Sequence, residues 1–465
     1  MRRLPDPAQR NSSMSVAPDR PRQRLVLAAT VLASAMAFID GTVVTIALPA
    51  IQETLRAGFG QLQWVVNGYT LMLGALLLIG GSLGDRLGRR RVFLSGIALF
   101  AAASIACALA ANAAVLIGAR AVQGVGAALL VPQSLAILSA SFPREVRGRA
   151  IGTWAAASAI TTALGPPLGG FLIDLLSWRA AFWINLPLSA AALWLTWRFV
   201  PESRDEAASG RLDWSGSVLA VAALAALIYG LTAFSGSAGT PTAVGAMLLG
   251  GAGLAAFWRV ERSAANPVMP PSLFRSRPFL AANVLTLFLY GALAGVLFLL
   301  PFDLIERRGL PASAVGTTLL PFGLVIGLLS RFAGSLADQY GAKMFLVSGS
   351  LLVAAAIGML ALNLPDYWLG VFVPVLVMAF GMAAVVSPLT TVVMNSAPDA
   401  QSGAASGINN AASRIAGLFA VAALGLAADL MFDWGGARPD ARFGVLPDLS
   451  DPARTALEAR FAAAY

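Results

Sequence analysis

A short charged loop lies between two long apolar stretches of the sequence and returns, in a weaker form, in the second half of the chain. The first copy reads Gly-Ser-Leu-Gly-Asp-Arg-Leu-Gly-Arg-Arg from Gly81 to Arg90, and the second copy begins 253 positions later, at Gly334. Repeats of this kind are typical of proteins built from two related helical bundles in a membrane. The loop motif therefore predicts a membrane-embedded, all-α chain rather than a soluble globular domain.

The composition supports the same class. Hydrophobic residues make up 58% of the 465 residues and charged residues only 12%, whereas about a quarter of a soluble domain is charged. The formal net charge of +9 does not indicate a nucleic-acid partner, because the basic residues lie in short loops between apolar stretches. The sequence contains no His, and its single cysteine, Cys107, lies in an apolar run. We therefore predict neither a metal site, nor a disulfide framework, nor a cofactor.

About 13 segments are apolar and long enough to cross the hydrocarbon core, which requires about 20 residues in a helix. The basic residues concentrate in the N-terminal tail and in every second loop, which predicts a multi-pass protein of the bacterial inner (plasma) membrane with a cytoplasmic N-terminus. The predicted spans lie at 25–50, 62–83, 92–111, 113–139, 149–173, 180–200, 215–234, 241–258, 279–301, 312–333, 343–362, 369–394 and 402–428.

Charged, proline-rich stretches divide these spans into units. The second bundle has one span fewer than the first, so we expect the last span to be missing or the chain to end outside the cytoplasm. The predicted units are a cytoplasmic basic tail (1–24), an N-terminal six-helix bundle (25–200), a linker with two extra transmembrane helices (201–278), a C-terminal helical bundle (279–429) and an extracytoplasmic polar tail (430–465).

Two charged residues lie well inside the early predicted spans, where charge is costly and is usually retained for function. Asp40 lies in the middle of the first span and Arg120 in the fourth. Burial favours the neutral form of a carboxylic acid and a nearby cation favours its ionised form, so Asp40 could load and release protons near neutral pH. Arginine keeps its proton, and Arg120 could be the fixed charge against which Asp40 titrates. In the alternative interpretation both residues only hold helices together.

Two further motifs suggest conformational roles. In the repeated loop, an acid beside arginines could pair with another helix in one conformation and release it in another, although simple anchoring at the membrane surface is the alternative. Glycines and prolines at the end of the fifth span could form a seal or pivot between bundles, or only a structural kink. The candidate residues are Asp85, Arg86, Gly88, Arg89 and the repeated Asp338 for the loop, and Gly165, Pro166, Gly169 and Gly170 for the fifth span.

Taken in order, these motifs resemble the major facilitator superfamily, and within it the fourteen-span drug:proton antiporters related to QacA and EmrB. The resemblance implies that Asp40 is the protonated acid, Arg120 its partner in the fourth span, and Gly165-Pro166 the hinge of antiport. Two positions depart from the family pattern, with Thr45 where Asn is usual and Ile305 where Gln is usual. The motifs that carry the resemblance are residues 39–49, 64–69, 84–90, 120–124, 165–170, 178–187 and 211–214.

The expected function is therefore proton-coupled efflux of amphipathic drugs or toxic small molecules by alternating access, driven by the proton gradient. A periplasmic adaptor is an additional candidate partner, besides the lipid bilayer, the substrate and protons. Four polar or aromatic residues are candidates for the wall of an apolar substrate cavity, with ordinary packing as the favoured alternative for each: Tyr69, Asn283, Phe288 and Tyr290.

Three other functions remain open at this point. An importer or exporter of a metabolite, such as a sugar, an organic acid or an amino acid, would share the fold, but sugar sites need clustered polar side chains that are sparse in the second bundle. A non-transporting membrane sensor would need neither Asp40 nor the glycine-proline motif. An enzyme would need a nucleophile, base or metal set, and the absence of His with one buried Cys provides none.

Overall fold

A computed structural model describes residues 20–204, 214–234, 240–263, 269–398 and 401–434. This part of the chain is helical throughout, with no β-strand, which confirms the all-α prediction. The predicted tails, 1–24 and 430–465, lie mostly outside the described residues. The helices are α1 (Arg20–Leu55), α2 (Phe59–Leu87), α3 (Arg89–Ala108), α4 (Ala113–Ser141), α5 (Arg144–Leu175), α6 (Ala180–Trp183), α7 (Asn185–Phe199), α8 (Trp214–Phe234), α9 (Thr240–Ser263), α10 (Arg277–Phe302), α11 (Ala312–Tyr340), α12 (Ala342–Ala361), α13 (Val373–Asn395) and α14 (Ser402–Trp434).

Each predicted span coincides with one of these helices, or with α6 and α7 together. Ten of the described stretches are long and apolar enough to cross a membrane, and α2 makes an eleventh if its two parts count as one span. Those parts, Phe59–Leu77 and Ile79–Leu87, meet at 52°. Near this bend, Gln133 of α4 donates from Nε2 to the carbonyl of Gly80 at 2.7 Å, which gives a buried backbone group a partner.

Helices α1–α7 pack into one bundle and α10–α14 into another. The core of the first bundle is built on Met36, Phe93 and Phe100, and that of the second on Phe279 and Met378. Between the bundles in sequence, α8 and α9 form a hairpin that packs on α2 and α14. This hairpin therefore contacts both bundles, and the indole of Trp64 on α2 donates to Thr232 on α8 at 3.1 Å.

The repeated loop has the same backbone form in both halves. Gly88 (φ 106°) separates α2 from α3, and Gly341 (φ 91°) separates α11 from α12. The repeated helices also agree in length, with 29 residues in α2 and α11 and 20 residues in α3 and α12. Positive φ values of this kind are accessible mainly to glycine. The glycine at each corner is therefore required by the backbone, which is the physical reason that the motif repeats.

We predict that Gly88→Ala and Gly341→Ala each destabilise the protein by about 1–3 kcal/mol, because alanine is strained at these φ values. The Gly88 variant should lose more, since its Cβ would lie 2.6 Å from the Glu202 carboxylate, while Gly341 has open space beside it. Thermal unfolding in detergent measures both effects. Gly358→Ala, at a helical glycine with open space, is the matched control and should unfold no earlier than the parent. Equal stability of all three variants would contradict the prediction.

Candidate functional site

Asp40 lies in the middle of α1 and is completely buried. Its carboxylate accepts three side-chain hydrogen bonds. Oδ1 accepts from Gln123 Nε2 at 2.7 Å and from Asn185 Nδ2 at 3.0 Å, and Oδ2 accepts from Arg120 Nη1, with which it forms an ion pair. Ser104 joins the cluster by accepting from Gln123 at 2.9 Å. The site thus unites side chains of α1, α3, α4 and α7.

Arg120 is held on several sides within the first bundle. Its Nε donates to the carbonyl of Val65 at 3.1 Å, and its Nη1 also donates to Gln123 Oε1 at 2.6 Å. The guanidinium lies over the ring of Tyr69, with 4.3 Å from Cζ to the ring centroid. Arginine side chains are readily stabilised by an aromatic face. The guanidinium is therefore fixed in place between the carboxylate and the aromatic ring.

The donors around Asp40 match its ionised form. A carboxylate offers only acceptors, whereas a protonated acid must place its own O–H on an acceptor. Protonation of Asp40 would therefore remove the countercharge of Arg120 and displace one of the three donors. Chemically, this cluster can exchange an internal ion pair for a bound proton and a released guanidinium.

A cavity of about 240 Å³ lies beside this cluster and is lined by α1, α2, α4 and α5 of the first bundle and by one residue of the second. Arg120 and Tyr69 form part of its wall, whereas Asp40 lies behind them and does not line it. Arg414 of α14 also lines the cavity. The remaining lining residues are Ala37, Phe38, Gly41, Thr42, Val44, Thr45, Val66, Thr70, Leu73, Val131 and Thr162.

Four residues were predicted to line a substrate cavity. Tyr69 lines the cavity described above, but the three residues on α10 do not. Asn283 is buried, donates to the carbonyl of Phe279 and accepts from Asn409, so its amide serves packing inside the second bundle. The side chain of Phe288 is 76% exposed. Tyr290 packs against the core of the second bundle. The rotation of α10 about its axis, which the sequence does not show, determines this placement.

The charged loop after α2 packs against the segment that follows α7. Arg89 pairs with Asp85 one helical turn away, at 2.8 Å, and its backbone N–H donates to the carbonyl of Ser203. Arg86 is partly exposed, and Asp338 in the second copy is exposed. Neither makes an ion pair with the residues that the structure describes. The two copies therefore share a backbone form but differ in their polar contacts.

The glycine-proline motif places α5 against two helices at once. The helix continues unbroken through Pro166 and Pro167. On one face, a Cβ at Gly165 would overlap Thr42 of α1, and a Cβ at Gly169 would lie 2.7 Å from Val43. On the other face, a Cβ at Gly170 would overlap the carbonyl of Ala312 on α11.

The contact between α5 and α11 is reciprocal, because a Cβ at Gly316 of α11 would overlap the carbonyl of Pro166. Asp174 closes this contact at the end where α5 ends and α11 begins. Its carboxylate accepts from the backbone N–H groups of Ala312 at 3.0 Å and Ser313 at 2.8 Å. The first residues of a helix leave such donors free and attract a negative charge. We call this set of contacts the α5–α11 seam.

Sequence reasoning did not include Gln123, Asn185 or Asp174 among the site residues. Gln123 and Asn185 gave a signal that could have been used, because each is a polar residue inside or next to a predicted apolar span. Asp174 gave none, since its partners lie 138 and 139 positions away.

Helices long enough to cross a membrane, in two bundles with a cavity and a buried ion pair beside it, are the arrangement expected of an integral membrane transporter. Residues 30–421 match the family model of the Major Facilitator Superfamily. The chain belongs to the major facilitator superfamily, as its motifs predicted.

Several relatives are named for resistance or export. The chain is 37% identical over 405 residues to the multidrug resistance protein Stp of Mycobacterium tuberculosis, covering 87% of this chain and 75% of Stp. It is 35% identical to the methylenomycin A resistance protein of Bacillus subtilis, covering 88% of each chain. Among solved structures, a bacterial homologue of the human lysosomal transporter Spinster, inward-facing and unoccupied, superposes with a TM-score of 0.68 at 16% identity, covering 96% of this chain and 94% of that one. That structural likeness supports the fold alone.

We predict that Asp40→Asn destabilises the protein by about 3–5 kcal/mol, because it leaves the buried guanidinium of Arg120 without a countercharge. Arg120→Gln should cost less, since the remaining carboxylic acid can take up a proton and arginine cannot lose one. The double variant should lose less stability than the two single variants lose together. The temperature at which the detergent-solubilised protein loses monodispersity measures all three variants, and additive losses would show that the pair is not coupled.

Proposed function

We propose that this protein exports amphipathic drugs or other toxic small molecules across the bacterial cytoplasmic membrane in exchange for protons. The observation that carries the proposal is the fully buried Asp40–Arg120 pair, of which Arg120 lines a cavity that Arg414 of the other bundle also lines. Relatives named for multidrug resistance and for methylenomycin A resistance support the substrate class. The proton gradient would supply the energy, without a cofactor.

The coupling step follows from the hydrogen bonds of Asp40. With the acid ionised, Arg120 is bound to it, and its charge is neutralised where it lines the cavity. A proton on Asp40 would release the guanidinium, and its charge would then act on whatever occupies the cavity. Asp40 cannot be protonated and form the ion pair with Arg120 at the same time. Proton uptake is therefore linked to release of the Arg120 guanidinium at the cavity wall.

The basic tail and loops support a cytoplasmic N-terminus. In that orientation α5 ends and α11 begins at the outer surface, so the α5–α11 seam closes the outer side. Toward the other end of α5, Gly148 and Gly152 have open space beside them. We therefore assign the structure to a state closed to the outside. Outward opening would have to separate α5 from α11 and release Asp174 from its two backbone donors.

We expect Asp40→Asn to abolish substrate-evoked proton flux in liposomes that contain a pH dye, because the variant cannot carry the proton. The panel comprises lipophilic cations, neutral drugs and amphipathic acids. The double variant Asp40→Asn/Arg120→Gln tests the same loss in a protein without an unpaired guanidinium. Glu53→Gln removes an exposed carboxylate from the same helix and should keep the flux. Flux that persists in both Asp40 variants would rule out this acid as the proton carrier.

We expect Gly316→Ala to open the outer side, because its Cβ would overlap the Pro166 carbonyl in the closed seam. Overpacking should destabilise the closed state by about 1–3 kcal/mol. The fraction of molecules open to the outside would then rise about fivefold or more. The measurement is labelling of Thr162→Cys, a cavity position, by an impermeant maleimide added outside; Cys107 is buried and should not react.

Gly327→Ala is the matched control for this variant. It lies on the same helix, and its Cβ would make an ordinary contact of 3.7 Å with Ala159. Its labelling rate should equal that of the parent. Equal rates for Gly316→Ala and Gly327→Ala would contradict a gating role for the seam.

A further inference from the structure

Arg414 of α14 lies in the cavity wall together with Arg120, but its surroundings differ from those of Arg120. Its side chain is partly buried, and its Nε is buried with no hydrogen-bond partner. Within the described part of the chain, Arg414 forms no ion pair with an acid. A guanidinium away from water is costly unless it meets an acceptor of opposite charge.

The side chain of Arg414 packs against Gly74 of α2. A Cβ at Gly74 of α2 would lie 3.3 Å from Cδ and 3.4 Å from Cβ of Arg414. The aliphatic part of Arg414 therefore lies directly on the backbone of α2, in space that glycine leaves free. This contact crosses from the second bundle to the first and limits where the guanidinium can point.

No acid among the described residues lines the cavity. Asp40, behind the wall, is already bound to Arg120, Gln123 and Asn185. Four threonines line the cavity, and each hydroxyl donates to a backbone carbonyl of its own helix; they are Thr42, Thr45, Thr70 and Thr162. The uncompensated charge in the cavity is therefore the guanidinium of Arg414, among apolar side chains and hydroxyl groups.

From this charge balance we infer that the cavity binds amphipathic compounds through an anionic oxygen group, a carboxylate or an ionised phenol, which pairs with Arg414. The inference rests on the proposed export function and specifies its substrate class. A guanidinium can bind a carboxylate through two parallel hydrogen bonds, while Phe38, Leu73 and Val131 would contact the apolar body. An organic cation in the same place would meet an unpaired positive charge.

Equilibrium binding to the purified protein in detergent at pH 7.5 tests this inference. The probes are 1-naphthylacetate, 1-naphthylacetamide and 2-(1-naphthyl)ethylammonium, and the corresponding acid, amide and amine of biphenyl. In each series these compounds share an apolar body and differ in charge. Calorimetry of the parent protein should show that the carboxylate binds at least about tenfold more tightly than the amide, and the ammonium most weakly.

The variants identify the residue that provides the preference. Arg414→Gln should bind the carboxylate and the amide alike, and Arg414→Lys, which keeps the charge but not the planar pair of donors, should keep part of the preference. Arg331→Gln is the control, because Arg331 is an exposed arginine on α11 outside the cavity, and it should bind as the parent does. Thermal unfolding of each variant shows that the fold is retained.

Three results would overturn the inference: tighter binding of the ammonium probes, an undiminished carboxylate preference in Arg414→Gln, or no carboxylate binding in either series. Because binding is measured without a proton gradient, it does not depend on antiport. Tighter binding of the ammonium probes, together with proton flux evoked by cationic drugs, would refute the anion site and keep the export function. A protein that binds the carboxylates through Arg414 without any proton flux would refute antiport alone.

Discussion

A carboxylate and a guanidinium buried in a bundle that spans a membrane must neutralise each other, and most of the first bundle is arranged around that requirement. The pair alone does not satisfy the carboxylate, since an ion pair in an apolar interior needs further hydrogen bonds to offset lost hydration. Gln123 and Asn185 donate these bonds to the carboxylate, and Ser104 on a third helix accepts from both amides. The same contacts fix how α1, α3, α4 and α7 pack, so the fold and the chemistry of the site have one origin.

The glycines of α5 connect this site to the seam between the bundles. Gly165 and Gly169 lie against Thr42 and Val43, two and three residues after Asp40, while Pro166 and Gly170 lie against α11. One helix thus contacts the acid-bearing helix on one face and the opposite bundle on the other. Any shift of α1 that accompanies release of the ion pair would press Thr42 and Val43 on the glycines of α5, and α5 in turn meets the backbone of α11 directly.

The spans, the repeat and the resemblance to a transporter family could be predicted from the sequence because they depend on local patterns: apolar length, loop charge and glycine at a corner. The residues that face the cavity could not. Asn283, Phe288 and Tyr290 lie on a helix that is apolar on nearly all sides, so no stripe of polar residues indicates its rotation. Asp174 was missed for a different reason, since a helix cap supplied from another bundle leaves no local pattern.

The unpaired charge of Arg414 has an electrical consequence. If a monoanion leaves the cell while one proton enters, two positive charges move inward in each cycle. Each charge contributes about 2.3 kcal/mol across a potential of 100 mV, so the potential alone would supply about 4.6 kcal/mol per cycle. Exchange of a proton for a monovalent cation moves no net charge and gains nothing from the potential. The sign of one side chain in the cavity wall thus determines whether the membrane voltage can drive export.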